Sequence, residues 1–308
     1  MDRRQALKAI ACAAALAPAA ARAAPLVRAI PASGEAVPAI GLGTWITFDV
    51  GPGEARHGRG EVLRAFFEAG GRLVDSSPMY GESESLIGEE YARIGRPRGL
   101  FAATKVWTVG GLAGRRQMEK SRALWGVGKF DLLLVHNMLD WEAHLPTLKE
   151  MKAQGRVRYI GVTTSHGRRH DLLERIMRSE ALDFVQLTYN LADRQAEERL
   201  LPIAAERRLA VVVNRPFDGG ELFRKIAPTS WGPPGAKTAK PLPGWAAEIG
   251  CSTWAEAFLK FVVSQPAVTC AIPATSKVAH LRENMRALAG PLPDAALARR
   301  IAADYERL

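Results

Sequence analysis

Four residues in the first half of the chain could together perform acid–base chemistry: Asp75, Tyr80, Lys105 and His136. Lys105 lies among apolar residues and needs a carboxylate partner, because a lone buried charge is costly, and Asp75 is the available one. A lysine cation beside a phenol favours phenolate, which predicts a lowered pKa for Tyr80. With His136 as a hydrogen-bonding neighbour, the set predicts a general acid for a developing alkoxide, without a metal or a covalent nucleophile.

Three of these residues close short apolar runs that read as strands. Such nearly continuous runs are typical of parallel strands that are buried on both faces. Seven of them are Gly71–Asp75, Phe101–Lys105, Leu132–His136, Tyr159–Thr163, Phe184–Leu187, Ala210–Asn214 and Val268–Ile272.

Amphipathic helical patterns separate the strand-like runs. Apolar residues recur in them at the spacing of one helix face. The predicted helices are Glu61–Ala69, Glu82–Tyr91, Arg115–Leu124, Glu142–Ala153, His170–Arg178, Ala196–Arg207, Thr253–Ser264 and Val278–Ala289.

This alternation predicts an α/β fold, a (β/α)8 TIM barrel, with its eighth strand near Ile46 or in a weakly patterned stretch. An N-terminal β-hairpin, Leu26–Ile30 with Val37–Leu42, precedes the first helix. No change of composition divides the chain, so residues 24–308 are predicted to form one domain. The alternative is an open doubly wound sheet, which usually holds a dinucleotide on a G-x-G-x-x-G turn that this sequence lacks.

Polar residues also fall at or near the ends of the next three strand-like runs. These are Thr163, Gln186 and Asn214. In a barrel the carboxyl ends of all strands meet at one rim, where barrel enzymes keep their active sites. The polar strand ends therefore predict one shared site at that rim.

Several segments give the chain a specific likeness to a known family. Residues 74–81 read VDSSPMYG, residues 104–107 read TKVW and residues 133–137 read LLVHN. These stretches, together with 41–45, 155–162 and 272–277, resemble the conserved segments of the aldo-keto reductases in order and spacing. The resemblance covers about residue 28 to residue 290.

The resemblance implies that NADP(H) is the cofactor and a small-molecule carbonyl compound the substrate. It assigns Tyr80 as proton donor, Lys105 and Asp75 as the pair that tunes it, and His136 as the group that orients the carbonyl. The 2′-phosphate is expected at a helix N-terminus, where free N–H groups favour an anion. The implied cofactor-binding residues are Thr44, Trp45, Asp75, Thr163, Thr164, Gln186, Asn214, Arg215, Pro216, Phe217, Gly219, Thr275, Ser276, Lys277, Glu283 and Asn284.

The chain departs from the family's pattern at two places in this set. Thr163-Thr164 stands where the family usually has Ser-Asn, and Asn214 stands where it often has a tyrosine that stacks on nicotinamide. Phe217 or a tryptophan is an alternative stacking group. Lys277 and Arg282 favour NADP over NAD.

Two further stretches bear on the substrate and the cofactor. Trp45, Met79 and Trp107 flank catalytic residues and either line an apolar substrate pocket or belong to the core. The Gly/Pro-rich segment Asp218–Pro243 is either a lid over the pyrophosphate or an irregular loop.

Charge and cysteine content exclude some other classes of protein. The net charge is +10, and about +7 remains without residues 1–23, yet no basic run is interleaved with aromatics, so nucleic acid is not expected as a partner. There is no C-x-x-C pair, and no metal site is predicted. Cys251 and Cys270 are expected to be free thiols, with a disulfide between them as the alternative in an oxidising compartment.

The N-terminal segment has the features of an export signal. Arg3-Arg4 and Lys8 precede a weakly apolar run that ends in an A-x-A cleavage pattern at Ala21–Ala23. The arginine pair is similar to a twin-arginine signal, whose machinery would then be a partner. Residues 1–23 are predicted to be a signal peptide and the protein periplasmic or otherwise exported, without a permanent membrane span. If the segment is an ordinary tail, the protein is cytoplasmic.

Two hypotheses of function follow from these observations. The first is an oxidoreductase that reduces aldehydes or ketones by hydride transfer from NADPH, with Tyr80 as general acid. The second is a cofactor-bound sensor or assembly subunit that keeps the barrel and has little turnover. The intact catalytic set favours the first, and the altered cofactor contacts favour the second. A sugar-phosphate isomerase barrel fits less well, because no Gly-rich phosphate turn follows the late strands.

Overall fold

A computed structural model describes residues 25–227 and 240–308 of the chain. The described part contains a two-stranded antiparallel sheet and an eight-stranded parallel sheet. The strands, in chain order, are β1 (Val27–Ala29), β2 (Ala36–Pro38), β3 (Leu42–Gly43), β4 (Leu73–Asp75), β5 (Phe101–Val106), β6 (Phe130–Val135), β7 (Val157–Thr163), β8 (Phe184–Thr188), β9 (Ala210–Asn214) and β10 (Val268–Ala271).

Helices follow most of the strands and cover the outside of the larger sheet. They are α1 (Glu54–Glu68), α2 (Ser83–Ile94), α3 (Gly111–Trp125), α4 (Trp141–Ala153), α5 (His170–Ser179), α6 (Leu200–Glu206), α7 (Glu221–Arg224), α8 (Trp245–Glu248), α9 (Trp254–Ser264), α10 (Val278–Arg286) and α11 (Ala295–Arg307).

The eight parallel strands lie in their sequence order, from β3 to β10, and close into a barrel. Each strand pairs with the next one along the chain, and two bridges, Ile40 to Ala271 and Gly43 to Ala274, join the first strand to the last. Strands β4, β5, β8 and β10 are buried along their whole length, as their apolar composition requires. The predicted (β/α)8 barrel is confirmed.

The first barrel strand is not where the sequence placed it. The hairpin strand expected over Val37–Leu42 ends at Pro38, and Leu42–Gly43 forms β3 of the barrel, while Ile46 is exposed in a turn with a φ of 62°. Glycine permits this tight seam, because a Cβ on Gly43 would lie 2.6 Å from the carbonyl oxygen of Ile272. A two-residue strand with a glycine leaves no apolar run to recognise.

The hairpin closes the amino end of the barrel. Its Ile30 and Val37 are fully buried against side chains such as Leu73, Phe101 and Phe184, which begin their strands. Burying two such side chains contributes about 1.5–3 kcal/mol each. The opposite end of the barrel stays open and is available for a site.

Helix α11, at the end of the chain, has no counterpart among the predicted helices. It packs on α9, where the ring of Tyr305 meets that of Phe258 edge-on at 5.7 Å. Asp304 accepts a hydrogen bond of 2.8 Å from the indole of Trp245 on α8. The helix therefore covers the outer layer, and the ring of Tyr305 near its end also lies 4.8 Å from the Nζ of Lys225, which follows α7.

Some of the expectations concern residues 1–24 and 228–239, which lie outside the described residues. They include the predicted signal peptide and the middle of the Asp218–Pro243 segment. Among the described helices none is both long and apolar enough to cross a bilayer. Cys251 and Cys270 are free thiols, so the disulfide considered between them is not formed.

Candidate active site

A cleft of about 800 Å³ opens at the carboxyl end of the barrel. Residues from the ends of successive strands line it, among them Gly43, Asp75, Thr163, Gln186 and Asn214. Five of the six polar strand ends predicted to converge thus line one cavity, and the sixth, Lys105, is fully buried beneath it. Its volume falls within the usual range for a site that binds a small molecule or cofactor.

Asp75 and Lys105 form a buried ion pair at the floor of this cleft. The Nζ of Lys105 lies 2.6 Å from Oδ2 of Asp75 and also donates to the carbonyl of Ser76 at 2.8 Å. Burial alone would lower the pKa of Lys105, but the charge and hydrogen bond of Asp75, together with the neighbouring Tyr80, outweigh it and the pKa is raised. Lys105 is therefore a cation, as the sequence analysis required.

The second oxygen of Asp75 is also engaged. Gln186 donates a hydrogen bond of 2.9 Å from Nε2 to Oδ1, and the hydroxyl of Thr44 donates to the backbone carbonyl of Asp75 at 3.0 Å. Removing one partner from such a buried pair leaves an uncompensated charge and costs about 3–5 kcal/mol. These bonds hold the carboxylate in one orientation below Lys105.

A turn after β4 places Tyr80 above the ion pair. The backbone N–H of Tyr80 donates to the carbonyl of Ser77 at 2.9 Å, and Gly81 leaves the turn with a φ of 54°. A side chain at Gly81 would meet the carboxylate of Asp49, which caps the N–H of Glu82. The turn brings the ring of Tyr80 to within 5.0 Å of the Nζ of Lys105.

The pKa of Tyr80 differs from the sequence-based prediction. Burial of the phenol raises its pKa, the cation of Lys105 lowers it and the charge of Asp75 raises it again, so that the net shift is upward. The prediction of a lowered pKa was wrong, because it considered the charge of Lys105 but not the desolvation of the Tyr80 phenol. Tyr80 therefore keeps its proton at neutral pH, which is the form that a general acid needs.

His136 lies directly after β6, with its ring edge-on to that of Tyr80 at 5.6 Å. Its Nδ1 is 2.9 Å from the hydroxyl oxygen of Ser77. Burial, reinforced by the nearby cation of Lys105, lowers the pKa of His136 to about 2. The imidazole is therefore neutral at the rim, beside a tyrosine that holds its proton.

Most of the residues that the resemblance assigns to the cofactor line the cleft, and three do not. Thr164 turns away, since its hydroxyl donates to the carbonyl of Arg168 at 2.6 Å. Ser276 and Lys277 lie outside the lining. The predicted residues that line it are Thr44, Trp45, Asp75, Thr163, Gln186, Asn214, Arg215, Pro216, Phe217, Gly219, Thr275, Glu283 and Asn284.

The helix N-terminus assigned to the 2′-phosphate lies at one end of the cleft. Thr275 lines it and accepts a hydrogen bond from the backbone N–H of Lys277 at 3.2 Å, just before α10 begins. Glu283 and Asn284, on α10, line the cleft as well. The exposed Lys277 therefore stands beside this end of the cavity without forming its wall.

The side chain of Asn214 is fixed by its neighbours. Its Oδ1 accepts from the hydroxyl of Thr188 at 2.7 Å, and its Nδ2 donates to the carbonyl of Thr164 at 2.8 Å. Phe217 lines the cleft, but its ring packs against Phe223 at 5.1 Å. The position where the family often has an aromatic ring is thus occupied by an amide that is already satisfied.

Two contacts at this rim could not be predicted from the residue pattern. Ser77 was visible only as part of the Tyr80 segment, and its bond to His136 joins loops 59 residues apart. Arg215 forms an ion pair with Asp218 at 2.9 Å and lies over the ring of Trp45 at 5.6 Å. Trp45 and Met79 line the cleft, whereas Trp107 does not and is 42% exposed.

This arrangement suits proton transfer to a bound small molecule. A neutral phenol, a buried cation and a neutral imidazole meet at the open end of a (β/α)8 barrel, which is where enzymes of this fold hold their substrates. Within residues 25–227 and 240–308, no cluster of three histidine, cysteine or carboxylate side chains is arranged to hold a metal ion. Fold and site together define a (β/α)8 barrel with an ionisable cluster of tyrosine, lysine, aspartate and histidine at its open end.

Comparison with known proteins gives the family. The model of the aldo/keto reductase family matches residues 39–303, which include the whole barrel and α10. The chain belongs to the aldo/keto reductase family.

Individual relatives are similar over most of the chain. Methylglyoxal reductase YeaE of Escherichia coli (strain K12) is 27% identical over 271 residues, 85% of this chain and 89% of that protein. The NADH-specific methylglyoxal reductase of the same organism is 27% identical over 239 residues, 65% of this chain and 70% of that protein. An aldo/keto reductase from Klebsiella pneumoniae, solved in complex with NADP and acetate, is 25% identical with a TM-score of 0.72, covering 88% of this chain and 93% of that chain.

Proposed function

We propose that the protein reduces aldehydes or ketones to alcohols by hydride transfer from NADPH, with Tyr80 as the general acid. One observation carries the proposal: the ring centre of Tyr80, whose phenol keeps its proton, lies 5.0 Å from the buried ammonium of Lys105. A cation at that place stabilises the phenolate left behind when the proton is given away. Membership of the aldo/keto reductase family supports the same reaction.

The residues present fit a nicotinamide dinucleotide. The cleft runs from Tyr80 and His136 to Thr275 and Asn284, and its volume of about 800 Å³ leaves room for both cofactor and a small substrate. Thr163 and Gln186 present hydroxyl and amide groups for a carboxamide. The beginning of α10 presents free N–H groups for a phosphate.

The reaction assigns a separate task to each side chain of the site. NADPH, when bound, supplies the hydride. Tyr80 gives its proton to the carbonyl oxygen as negative charge develops there, and Lys105 stabilises the resulting phenolate. Asp75 keeps Lys105 in place, and His136 donates a hydrogen bond that orients the carbonyl.

We propose NADPH rather than NADH as the preferred cofactor. Lys277 stands at the start of α10 and Arg282 lies within that helix, so both can approach a phosphate at its N-terminus. The relatives differ on this point: the Klebsiella pneumoniae protein was solved with NADP, and one Escherichia coli relative is NADH-specific.

The substrate is proposed to be a small carbonyl compound. Trp45 and Met79 give the cleft apolar walls near Tyr80 and His136. Two relatives are methylglyoxal reductases, and methylglyoxal is accordingly the first compound to test.

A second candidate function is a cofactor-bound sensor or assembly subunit with little turnover. It is favoured by the amide of Asn214, which is fixed where the family often has a stacking ring, and by Thr164, which turns away from the cleft. Both features weaken the contacts expected for the cofactor. Turnover separates the two functions, since a sensor would bind NADPH without oxidising it at a useful rate.

Export by the twin-arginine route remains part of the proposal. Arg3-Arg4 and the A-x-A pattern at Ala21–Ala23 support it. In a periplasm without a supply of free NADPH, the cofactor would be held tightly from before export, or the activity would be only occasional.

The experiment that tests the proposed function is an assay of NADPH and NADH oxidation with methylglyoxal and a panel of aldehydes and ketones. We expect catalytic turnover with NADPH for at least one small aldehyde. Tight NADPH binding without oxidation, across the whole panel, would instead support the sensor.

A further inference from the structure

Ser77 has a feature that the proposed reaction does not use. Its side chain is fully buried, and its hydroxyl oxygen lies 2.9 Å from Nδ1 of His136. The same oxygen accepts a hydrogen bond of 3.2 Å from the backbone N–H of Met79. In the described part of the chain, these two groups are its only hydrogen-bond partners.

The proton of this hydroxyl has one available acceptor. If Nδ1 of His136 were protonated, the Ser77 oxygen would accept two bonds and its own proton would be buried without a partner, at a cost of about 1–3 kcal/mol. If Nδ1 is unprotonated, the hydroxyl donates to it and every group is satisfied. Hydrogen-bond accounting therefore favours an unprotonated Nδ1, with the ring proton on Nε2.

The tautomer matters because the other ring nitrogen of His136, Nε2, is the one that faces the cleft. Nε2 of His136 has no hydrogen-bond partner within residues 25–227 and 240–308, and it is not among the buried polar atoms that lack one. His136 lines the cleft, so Nε2 is the nitrogen that reaches it. A proton on Nε2 makes the imidazole a donor toward a carbonyl oxygen, whereas the other tautomer would present a lone pair and repel that oxygen.

We propose that Ser77 is a positioning residue that fixes His136 as the Nε2–H tautomer and thereby makes it a hydrogen-bond donor to the substrate carbonyl. The inference rests on the proposed carbonyl reduction. The backbone carbonyl of Ser77 also accepts the hydrogen bond from the N–H of Tyr80 that closes the turn. One residue therefore sets both the place of the proton donor and the orientation of the group beside it.

The test compares Ser77→Ala with a matched substitution, Ser121→Ala. Ser121 is also buried and donates to Glu84 at 2.7 Å on the outer side of the barrel, between α3 and α2. Both variants lose one buried hydroxyl bond, so a general loss of packing should affect them alike. Only Ser77→Ala removes the partner of His136.

The direct readout is ¹⁵N NMR of the histidine rings. The chain has six histidines, and the signals of His136 are assigned as those missing from His136→Gln. We expect a pyridine-like Nδ1 and a pyrrole-like Nε2 in the wild type and in Ser121→Ala. In Ser77→Ala we expect a mixture of tautomers, with kcat about three- to tenfold lower and the Kd of NADPH unchanged, as for one lost hydrogen bond.

Some results would overturn the proposal. A pyrrole-like Nδ1 in the wild type would show that Ser77 only accepts, and a tautomer unchanged in Ser77→Ala would show that Ser77 does not select it. Because the spectra need no turnover, they separate this inference from the proposed function. The expected spectra in a protein that reduces no carbonyl would support tautomer control by Ser77 while contradicting the reductase.

Discussion

At the scale of single residues, the site depends on which charges burial allows. Lys105 stays charged because Asp75 lies 2.6 Å away, whereas His136 stays neutral because burial and the cation of Lys105 act on it and no carboxylate of the described residues offsets them. Tyr80 holds its proton because desolvation outweighs the attraction of the lysine. A protonated phenol, a cation and a neutral imidazole therefore coexist at neutral pH, although the residue types alone predicted a lowered pKa for Tyr80.

The neutral state of His136 predicts a pH dependence of stability. The folded protein keeps the ring neutral down to about pH 2, whereas the unfolded chain takes up a proton below the ordinary pKa of 6.5. The unfolded state binds more protons in this window, so stability falls as the pH falls from 6.5 toward 2. The slope is at most about 1.4 kcal/mol per pH unit.

We therefore expect His136→Gln, which cannot titrate, to lose less stability in acid than the wild type. Between pH 7.5 and pH 5.0, the wild type should lose about 2 kcal/mol more of its free energy of unfolding than the variant does. Urea unfolding at the two pH values measures this difference. Equal losses would mean that the ring is charged in the folded protein.

At the scale of elements, the barrel strands that lie within apolar runs could be predicted, and β3 could not. Runs such as Phe101–Val106 and Val157–Thr163 are buried on both faces, so composition alone reveals them. Leu42–Gly43 is a strand only because its glycine lets another strand approach, which the sequence does not display. Helix α11 was missed: only Ile301, Ala302 and Tyr305 of its 13 residues are buried, and most of its other apolar residues are alanines.

The elements also explain which site residues could be predicted. Residues at strand ends are placed by the barrel itself, so Asp75, Lys105 and Gln186 were found together as expected. Loop residues depend on turn geometry, and the contact of Ser77 with His136 and that of Arg215 with Trp45 had no pattern in the sequence.

The prediction on cofactor preference concerns Lys277, which lies at the start of α10. Lys277→Ala should weaken NADPH binding about five- to tenfold and leave NADH binding nearly unchanged, because only NADPH has a 2′-phosphate for the lysine to pair with. Fluorescence titration with both cofactors measures the two Kd values. The control is Lys129→Ala, which removes an exposed lysine before β6, at the opposite end of the barrel. Equal losses for both cofactors would direct attention to Arg282.

At the scale of the whole molecule, the cofactor site exists only in the folded barrel. Its proposed residues extend from Thr44 to Asn284 and are brought together by the closure of β3 on β10. A protein exported unfolded would lose any cofactor it had bound. The proposed route for folded proteins is therefore the one compatible with a reductase that obtains NADPH in the cytoplasm.

Export itself is tested at the arginine pair. We expect the double variant Arg3→Lys, Arg4→Lys to accumulate as an uncut precursor in the cytoplasm, because the signal requires both arginines. The wild type should be cut near Ala23 and fractionate with the periplasm. Arg22→Lys is the control, a basic exchange outside the pair that should leave export intact. A wild-type chain found uncut in the cytoplasm would refute export.

The central claim is that hydride passes to a carbonyl carbon while Tyr80 supplies the proton. Single-turnover reduction of a reactive aldehyde with NADPH deuterated at the transferred position of C4 measures both, by mass spectrometry of the alcohol and by the rate. Tyr80→Phe is compared with Tyr91→Phe, which removes the phenolic hydroxyl of a buried tyrosine on α2 that makes no hydrogen bond with the described residues.

We expect deuterium on the carbonyl carbon of the alcohol from the wild type and from Tyr91→Phe. Tyr80→Phe should bind NADPH normally and react about 10²- to 10⁴-fold more slowly, the usual contribution of a general acid. A Tyr80→Phe variant that keeps most of the wild-type rate, or an alcohol without deuterium, would contradict the account.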